Sequence, residues 1–182
     1  MMHGGKSHRL QPDEKSVLEA LIVTYSDALV RFAYSYVKNA SVAEEVMEDS
    51  FAALFVSGKL AREESYLRSY LYKIARNKCM DYLRHHRKTV PLEDLENVLC
   101  VPGPDAKLWK RERDKTVYMC MQALPEQYRE VLQLKYFDNF AVNQICRISG
   151  KSTKQVYNLL ARAKEALKKL LKKEGLTGED IG

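Results

Sequence analysis

The sequence predicts an all-α protein built from two small helical modules. Nearly every periodic segment places apolar residues three and four positions apart, as on one face of a helix. No stretch alternates apolar and polar residues over the length of a strand. Residues 89–106 interrupt the helical pattern with three prolines and a glycine. A chain of 182 residues, 46% of them hydrophobic, is long enough to bury a core on either side of this interruption.

The first module, residues 13–88, is predicted to hold three helices after a disordered polar tail, residues 1–12. The first helix is expected to run from about Asp13 to Val37. The second begins at Ser41, which has the spacing of a capping box with Glu44. In such a box each side chain accepts a hydrogen bond from the backbone N–H of the other residue, so the pair indicates a helix N-terminus.

The second helix, residues 41–57, carries four carboxylates close together. Glu44 and Glu48, like Glu45 and Asp49, are like charges four residues apart, and such pairs slightly destabilise an isolated helix. The helix dipole favours Glu44 and Glu45 in the first turn, so Glu48 and Asp49 still need an explanation. A basic partner surface would compensate them, and a solvated acidic face is the alternative.

The third helix, from about Ser65 to Lys88, is the basic element of the first module. Leu67, Leu71 and Ile74 share one side of it at 3.6 residues per turn. The polar stripe elsewhere on the cylinder consists of Tyr70, Lys73, Asn77 and Arg84, flanked by Arg76 and Arg87. Phosphate-pairing cations, an aromatic ring and an amide on one rigid element suit single-stranded nucleic acid. The alternative is an ordinary solvated basic helix.

Residues 89–106 are predicted to be a flexible acidic linker. Besides its prolines and glycine, this segment contains Glu93, Asp94, Glu96 and Asp105, a composition that disfavours a helix. Because the linker holds few apolar anchors, we expect the two modules to be independently stable and to tumble separately in the absence of a partner.

The second module, residues 107–175, has the spacing of a helix-turn-helix. Residues 141–148 predict a short helix, and Gly150 falls in the following turn, where a positive φ is needed. Ser152 opens the next helix through a capping box with Gln155. A polar tail, residues 176–182, follows the module.

The outward face of this last helix is small and polar at its N-terminal end, where a recognition helix meets base edges in the major groove. Val156, Leu160 and Leu167 lie on the opposite, apolar face. The residues predicted to contact duplex DNA are Ser152, Thr153, Lys154, Tyr157, Asn158 and Arg162. A generic helical hairpin is the alternative.

Composition narrows the class of protein further. Thirty Lys and Arg against 24 Asp and Glu give a net charge of +6 and a pI near 9.0, which favours a polyanionic partner. The four cysteines form no C-x-x-C pair, so neither a zinc knuckle nor a disulfide framework is expected, and a reducing cytoplasm fits best. No segment has the apolar core of a signal peptide or the length of a membrane span. No residue set supports catalysis, and we expect no metal, no cofactor and no enzyme activity.

Four segments, two in each module, resemble a bacterial RNA polymerase sigma factor of the extracytoplasmic-function type. Residues 43–51 are similar to the family pattern A-E-D-x-V-Q-E-x-F, and Tyr70 to Arg84 are similar to W-L-x-x-I-A-R-N-x-x-x-D-x-L-R. In the second module, residues 124–134 resemble L-P-x-x-x-R-x-V-x-x-L and residues 156–163 resemble V-x-x-x-L-x-R-A. The resemblance covers about Leu18 to Leu171.

This resemblance implies that the first module is sigma region 2, which binds the polymerase clamp and captures the melted −10 element. The second module would be region 4, which binds the −35 element as duplex, and the linker would run through the polymerase cleft. The implied partners are core RNA polymerase, promoter DNA and an anti-sigma factor that controls the chain. Glu45, Glu48 and Asp49 would contact the polymerase. Tyr70 stands where the family usually has Trp, and Gln144 where Glu is usual; these departures bear on promoter preference.

Two other functions remain open from the residues alone. A conventional operator-binding regulator would explain the helix-turn-helix and the charge, but it gives no reason for the aromatic and cationic stripe in the first module. A helical adaptor that binds proteins would explain the acidic helix, and it would have no affinity for nucleic acid at any salt concentration.

Overall fold

The computed structural model describes residues 12–86 and 112–176, and all regular secondary structure in these ranges is helical. The first module consists of α1 (Pro12–Val37), α2 (Ala40–Val56) and α3 (Glu64–His86). The second consists of α4 (Glu112–Gln122), α5 (Glu126–Leu132), α6 (Val142–Ser149) and α7 (Thr153–Lys173), with a π-helix, Gln133–Phe137, continuing α5. The predicted all-α class with two modules is confirmed. The predicted linker, Arg87 and most of both predicted tails lie outside the described residues.

The first module is a three-helix unit in which every helix packs on the other two. Leu29 and Phe32 of α1, Leu54 of α2 and Leu71 of α3 are fully shielded from solvent at its centre. Burying side chains of this size contributes about 1.5–3 kcal/mol each, which is the main force holding the helices together. Within the described ranges, none of the helices combines the length and the apolar character that crossing a bilayer would need.

Helix α2 begins earlier than predicted, and the prediction of a capping box at Ser41 is wrong. The Asn39 side chain caps α2 by accepting a hydrogen bond from the Val42 N–H at 3.2 Å. The physical reason is the preceding residue: Lys38 adopts a left-handed φ of 55°, and its N–H bonds to the Tyr34 carbonyl at 3.0 Å. This ends α1 so abruptly that the next helix starts almost at once, which makes Asn39 the cap.

The helix-turn-helix prediction is confirmed. Gly150 ends α6 with a φ of 70°, a left-handed conformation that costs glycine little. At the start of α7, the Gln155 N–H donates to the Ser152 hydroxyl at 3.3 Å, and the Ser152 N–H donates to the Gln155 side chain at 2.8 Å. Val156 and Ala163 turn into the core, so the opposite side of α7 faces outward.

The two modules pack against each other, which corrects the prediction that they tumble separately. Helix α3 lies along α6, and the buried side chains of both modules join in one hydrophobic cluster. At the centre of this contact Tyr72 and Phe140 meet edge to face, with ring centroids 4.8 Å apart. Both rings are almost completely buried. Linker composition describes the tether alone; it carries no information about faces that the two modules bury against each other.

Candidate nucleic-acid interfaces

Helix α7 presents its predicted DNA contacts on one solvent-exposed surface. All six predicted residues of this helix and its N-cap are exposed, and Tyr157 retains 58% of its accessible surface. The exposed ring of Tyr157 lies near exposed Lys154 and Asn158 on the same helix. Together they offer an apolar contact, a cation and an amide that can form two hydrogen bonds with one base. The α7 surface can therefore contact both base edges and phosphates.

Local hydrogen bonds fix the first turn of α7. The reciprocal Ser152–Gln155 cap fixes the first turn and leaves the remaining N–H groups of that turn directed outward. Thr153 lies beside α6, with its hydroxyl oxygen 3.8 Å from the Cys146 sulfur. The positive end of the helix dipole and Lys154 together favour an anion at this end.

Helix α3 keeps part of the predicted single-strand stripe together. Lys73 and Asn77, one turn apart, are both exposed, whereas Tyr70 is half-buried. Arg84 is exposed near the end of the helix and pairs with Asp81 at 3.3 Å. An exposed pair of this kind is worth little in water, so Arg84 can exchange Asp81 for a phosphate.

Tyr70 belongs to a cluster that the sequence analysis missed. Its ring stacks on Tyr66 with centroids 5.9 Å apart and an interplanar angle of 12°. The Lys59 ammonium lies 4.0 Å from the Tyr70 centroid, and the Arg62 guanidinium lies 5.8 Å from the Tyr66 centroid. Tyr66 could have been found from its spacing, four residues before Tyr70 on one helix. Lys59 and Arg62 lie between α2 and α3, where no periodicity marks them.

The Arg76 side chain lies apart from the other residues that were predicted to bind single-stranded DNA. Its guanidinium forms an ion pair with Glu130 of the second module, whose side chain is only 2% exposed. Burial lowers the pKa of Arg76, but the hydrogen bond and charge of Glu130 outweigh this effect, so the pKa of Arg76 is raised and its guanidinium remains charged. The structure therefore separates Arg76 from the exposed stripe and places it in the contact between modules.

On the acidic helix α2, two of the three predicted polymerase contacts form no ion pair with any other described residue. Glu45 and Glu48 are exposed on α2. Asp49 is also exposed, but its carboxylate lies 2.9 Å from the Lys78 ammonium of α3. Lys78, which belongs to the same module, therefore supplies part of the positive charge that we expected to balance the like-charge pairs of α2.

The contact between modules buries several further titratable groups. The Asp138 carboxylate accepts a hydrogen bond from the Tyr72 hydroxyl at 3.0 Å, and burial raises the pKa of Asp138 to about 6. The Arg68 guanidinium lies 4.1 Å from the Phe140 centroid and donates to the Asp138 carbonyl. Burial also lowers the pKa of Lys38 to about 7.

Two sequence profiles match the two modules. The profile described as "Sigma-70 region 2" matches residues 21–89, and the profile described as "Sigma-70, region 4" matches residues 114–167. These spans contain α2 and α3 in the first module and the helix-turn-helix in the second.

Curated relatives match the chain over most of its length. It is 26% identical to the RNA polymerase sigma factor SigV of Bacillus subtilis, over 90% of this chain and 96% of that protein. It is also 26% identical to the ECF RNA polymerase sigma factor SigM of the same organism, over 84% of this chain and 94% of that protein. The RNA polymerase sigma-H factor of Pseudomonas aeruginosa is 25% identical, over 90% of each chain.

Solved structures share the fold. The sigma factor RpoE of Bartonella quintana, solved in complex with the anti-sigma factor NepR, superimposes with a TM-score of 0.68 at 20% identity, covering 85% of this chain and 96% of that one. CnrH, solved in complex with the cytosolic domain of CnrY, gives a TM-score of 0.58 at 20% identity and covers 87% of this chain and 89% of that one.

The exposed α7 surface and the basic stripe of α3 thus belong to a two-module transcription initiation factor. The chain is a member of the extracytoplasmic-function group of the sigma-70 family of RNA polymerase sigma factors. As a sigma factor it directs promoter recognition by RNA polymerase.

Proposed function

We propose that α7 binds the −35 element as duplex and that α3 captures the −10 element as a single strand. The observation that carries this proposal is that all six predicted contacts are exposed on α7 and its N-cap, the second helix of the helix-turn-helix. In this arrangement Asn158 and Tyr157 contact base edges, and Lys154 pairs with a phosphate.

In the first module, the strand would lie along Lys73 and Asn77 and continue over Tyr70. Base stacking on an aromatic ring is worth about 1–3 kcal/mol per base. We include Tyr66 in this surface, since its ring is parallel to that of Tyr70. Lys59, above the Tyr70 ring, would move to a phosphate when a base takes its place.

For the polymerase contact we propose Glu45 and Glu48 on α2, with Asp49 joining them when Lys78 releases it. Catalysis would belong to core RNA polymerase, and the sigma factor would supply no reaction of its own. It would act in the cytoplasm, where polymerase and chromosome are found. We also propose an anti-sigma factor as a regulatory partner, by analogy with the neighbour that was solved with NepR.

The experiment is in vitro transcription with core polymerase and the full chain on a library of genomic fragments. A sigma factor produces transcripts only when both are present, and it footprints promoters only with polymerase. An operator-binding regulator would protect duplex DNA by itself, and an adaptor would bind no DNA at any salt concentration.

The polymerase contact is tested with Glu48→Lys. Charge reversal at a salt-dependent contact should weaken association with core polymerase while circular dichroism stays unchanged. Glu19→Lys on α1 is the matched control, since it makes the same charge change at an exposed site. The native Glu19 carboxylate lies 3.7 Å from the Lys15 ammonium of the same helix, an exposed pair whose loss should cost little. Equal polymerase affinity of the two variants would remove Glu48 from the interface.

A further inference from the structure

An open cleft lies between the two modules, where the start of α3 meets α6. Its volume is about 560 Å³. Small-molecule sites occupy about 300–1,000 Å³ and are frequent between domains, so the cleft has the size and the place of a ligand site. The first module lines it with Arg62, Glu63, Ser65 and Tyr66, and the second lines it with Ala141, Asn143, Gln144 and Arg147.

One hydrogen-bonded side chain joins the two walls of this cleft. The Gln144 side chain donates to the Ser65 carbonyl of α3 at 3.5 Å, and its oxygen accepts from the Ala141 N–H at 3.0 Å. Both polar ends of Gln144 are therefore used in holding the walls together. Recognition of a ligand is left to the other lining side chains.

Two arginines give the cleft the charge of an anion site. Arg62 and Arg147 are both exposed, and neither forms an ion pair or a hydrogen bond with another described residue. The lining holds these two cations against one carboxylate, that of Glu63. A guanidinium carries five N–H donors in a planar fork that matches a phosphate group. Two arginines with unused donors, one on each wall, can therefore hold a phosphate between them.

Glu63 and Tyr66 indicate what the rest of the ligand is. The exposed Glu63 carboxylate repels a bare phosphate, but it accepts hydrogen bonds from the N–H and O–H groups of a base or a sugar. The Tyr66 ring is half-buried and stacked on Tyr70, so it offers a fixed aromatic surface for a second planar ring. Asn143, which is exposed, adds an amide that donates and accepts. An anionic group, a set of donors and a planar ring together describe a nucleoside phosphate.

We propose that the cleft between the modules binds a nucleoside phosphate. The phosphate lies between Arg62 and Arg147, the base lies against Tyr66, and Glu63 accepts a hydrogen bond from the sugar or the base. Tyr66 also belongs to the proposed single-strand surface, whereas Arg147 belongs to neither of the proposed DNA-contacting surfaces. The site is defined by the cleft alone and does not depend on the assignment of α3 and α7 to promoter elements.

The test titrates the full chain by isothermal calorimetry with ATP, with inorganic triphosphate and with adenosine, at one ionic strength and without magnesium. We expect ATP to bind with one-to-one stoichiometry and about ten-fold or more tightly than either fragment, because only ATP engages both the arginines and the ring.

Three variants identify the groups that bind. Arg147→Ala should weaken ATP binding about ten-fold, since it removes one phosphate partner. Lys168→Ala is the control, because it removes an exposed positive charge from the same module outside the cleft and should leave the affinity unchanged. Glu63→Ala should reduce the preference for ATP over inorganic triphosphate about ten-fold, because it deletes the acceptor that only a nucleoside uses and also the charge that repels phosphate.

Amide chemical shifts of the full chain locate the site without any variant, so the test survives a variant that loses helicity by circular dichroism. We expect ATP to shift Tyr66, Asn143 and Arg147. The inference is overturned if ATP shows no saturable binding, if Arg147→Ala binds as tightly as the wild type, or if the shifts fall on Lys154 and Asn158 of α7. Inorganic triphosphate that binds as tightly as ATP would also overturn it. So would shifts that appear only with a single-stranded −10 oligonucleotide, because the cleft would then belong to the single-strand surface.

Discussion

Asp138→Asn should remove a pH dependence that the contact between modules imposes on stability. Burial raises the pKa of this carboxyl from its ordinary value of 3.8 to about 6, with Tyr72, Arg68 and Arg31 opposing the rise. Because the folded state binds the Asp138 proton more tightly than the unfolded state does, protonation of Asp138 stabilises the fold. This stabilisation is complete below pH 3.8 and is lost as the pH rises through 6. Each ten-fold difference in proton affinity is worth about 1.4 kcal/mol, so the full effect is about 3 kcal/mol.

The assay is urea unfolding of the wild type and of Asp138→Asn at pH 4.5 and pH 7.5. Asparagine cannot titrate, but its carbonyl can still accept the Tyr72 hydroxyl. Other carboxyl groups titrate in both proteins and cancel when the two are subtracted. We expect the difference in unfolding free energy between the proteins to change by about 2 kcal/mol between the two pH values, with the wild type favoured at low pH. A difference that is equal at both would show that Asp138 is solvated and that the modules are apart in solution.

Three further predictions test the sites and the turn at Lys38. Asn158→Ala should relax preference at one position of the −35 element at a cost of about 1–3 kcal/mol, whereas Lys154→Ala should weaken all promoters and flatten the salt dependence. Selection from a randomised element distinguishes the two roles, and the helix-turn-helix would be structural if neither substitution changed promoter choice or salt dependence. Tyr70→Ala should reduce the open-complex population about ten- to a hundred-fold, as measured by permanganate reactivity, and a template that is already melted should restore it; equal loss of closed complexes would argue against a role in stacking. Lys38→Gly should raise the unfolding free energy, because it relieves about 1–2 kcal/mol of left-handed strain and deletes a buried ammonium that has no hydrogen-bond partner among the described residues. The pKa of Lys38 is lowered to about 7, so the folded wild type loses stability as the pH falls from 10.5 through 7, and the gain should be larger at pH 6.5 than at pH 9.5. Asn139→Gly, at an exposed left-handed residue, is the control and should change stability less.

Local rules of helix formation were enough to predict the helix-turn-helix. The capping box of Ser152 and Gln155, the glycine at 150 and the apolar spacing of α7 are determined by residues within one or two turns of each other. The outward surface of α7 follows from the same periodicity, which is why its six exposed residues could be named without a structure. The cap of α2 was misplaced because Lys38, a residue with no strong turn preference, takes a left-handed φ, and this choice depends on how α1 and α2 pack.

Long-range packing determined the features that the sequence left open. Tyr72 and Arg76 lie within a motif that periodicity assigns to one helix, yet their partners, Asp138 and Glu130, are 66 and 54 residues further along the chain. No spacing rule links residues at such separations, so their pairing is decided only when α3 meets the second module. The amino-acid sequence by itself therefore determined which helices form and which of their faces are polar, because those properties depend on neighbours in the chain. Which polar groups are exposed to solvent and which are buried between modules was decided by tertiary structure, because burial depends on distant surfaces that fit together.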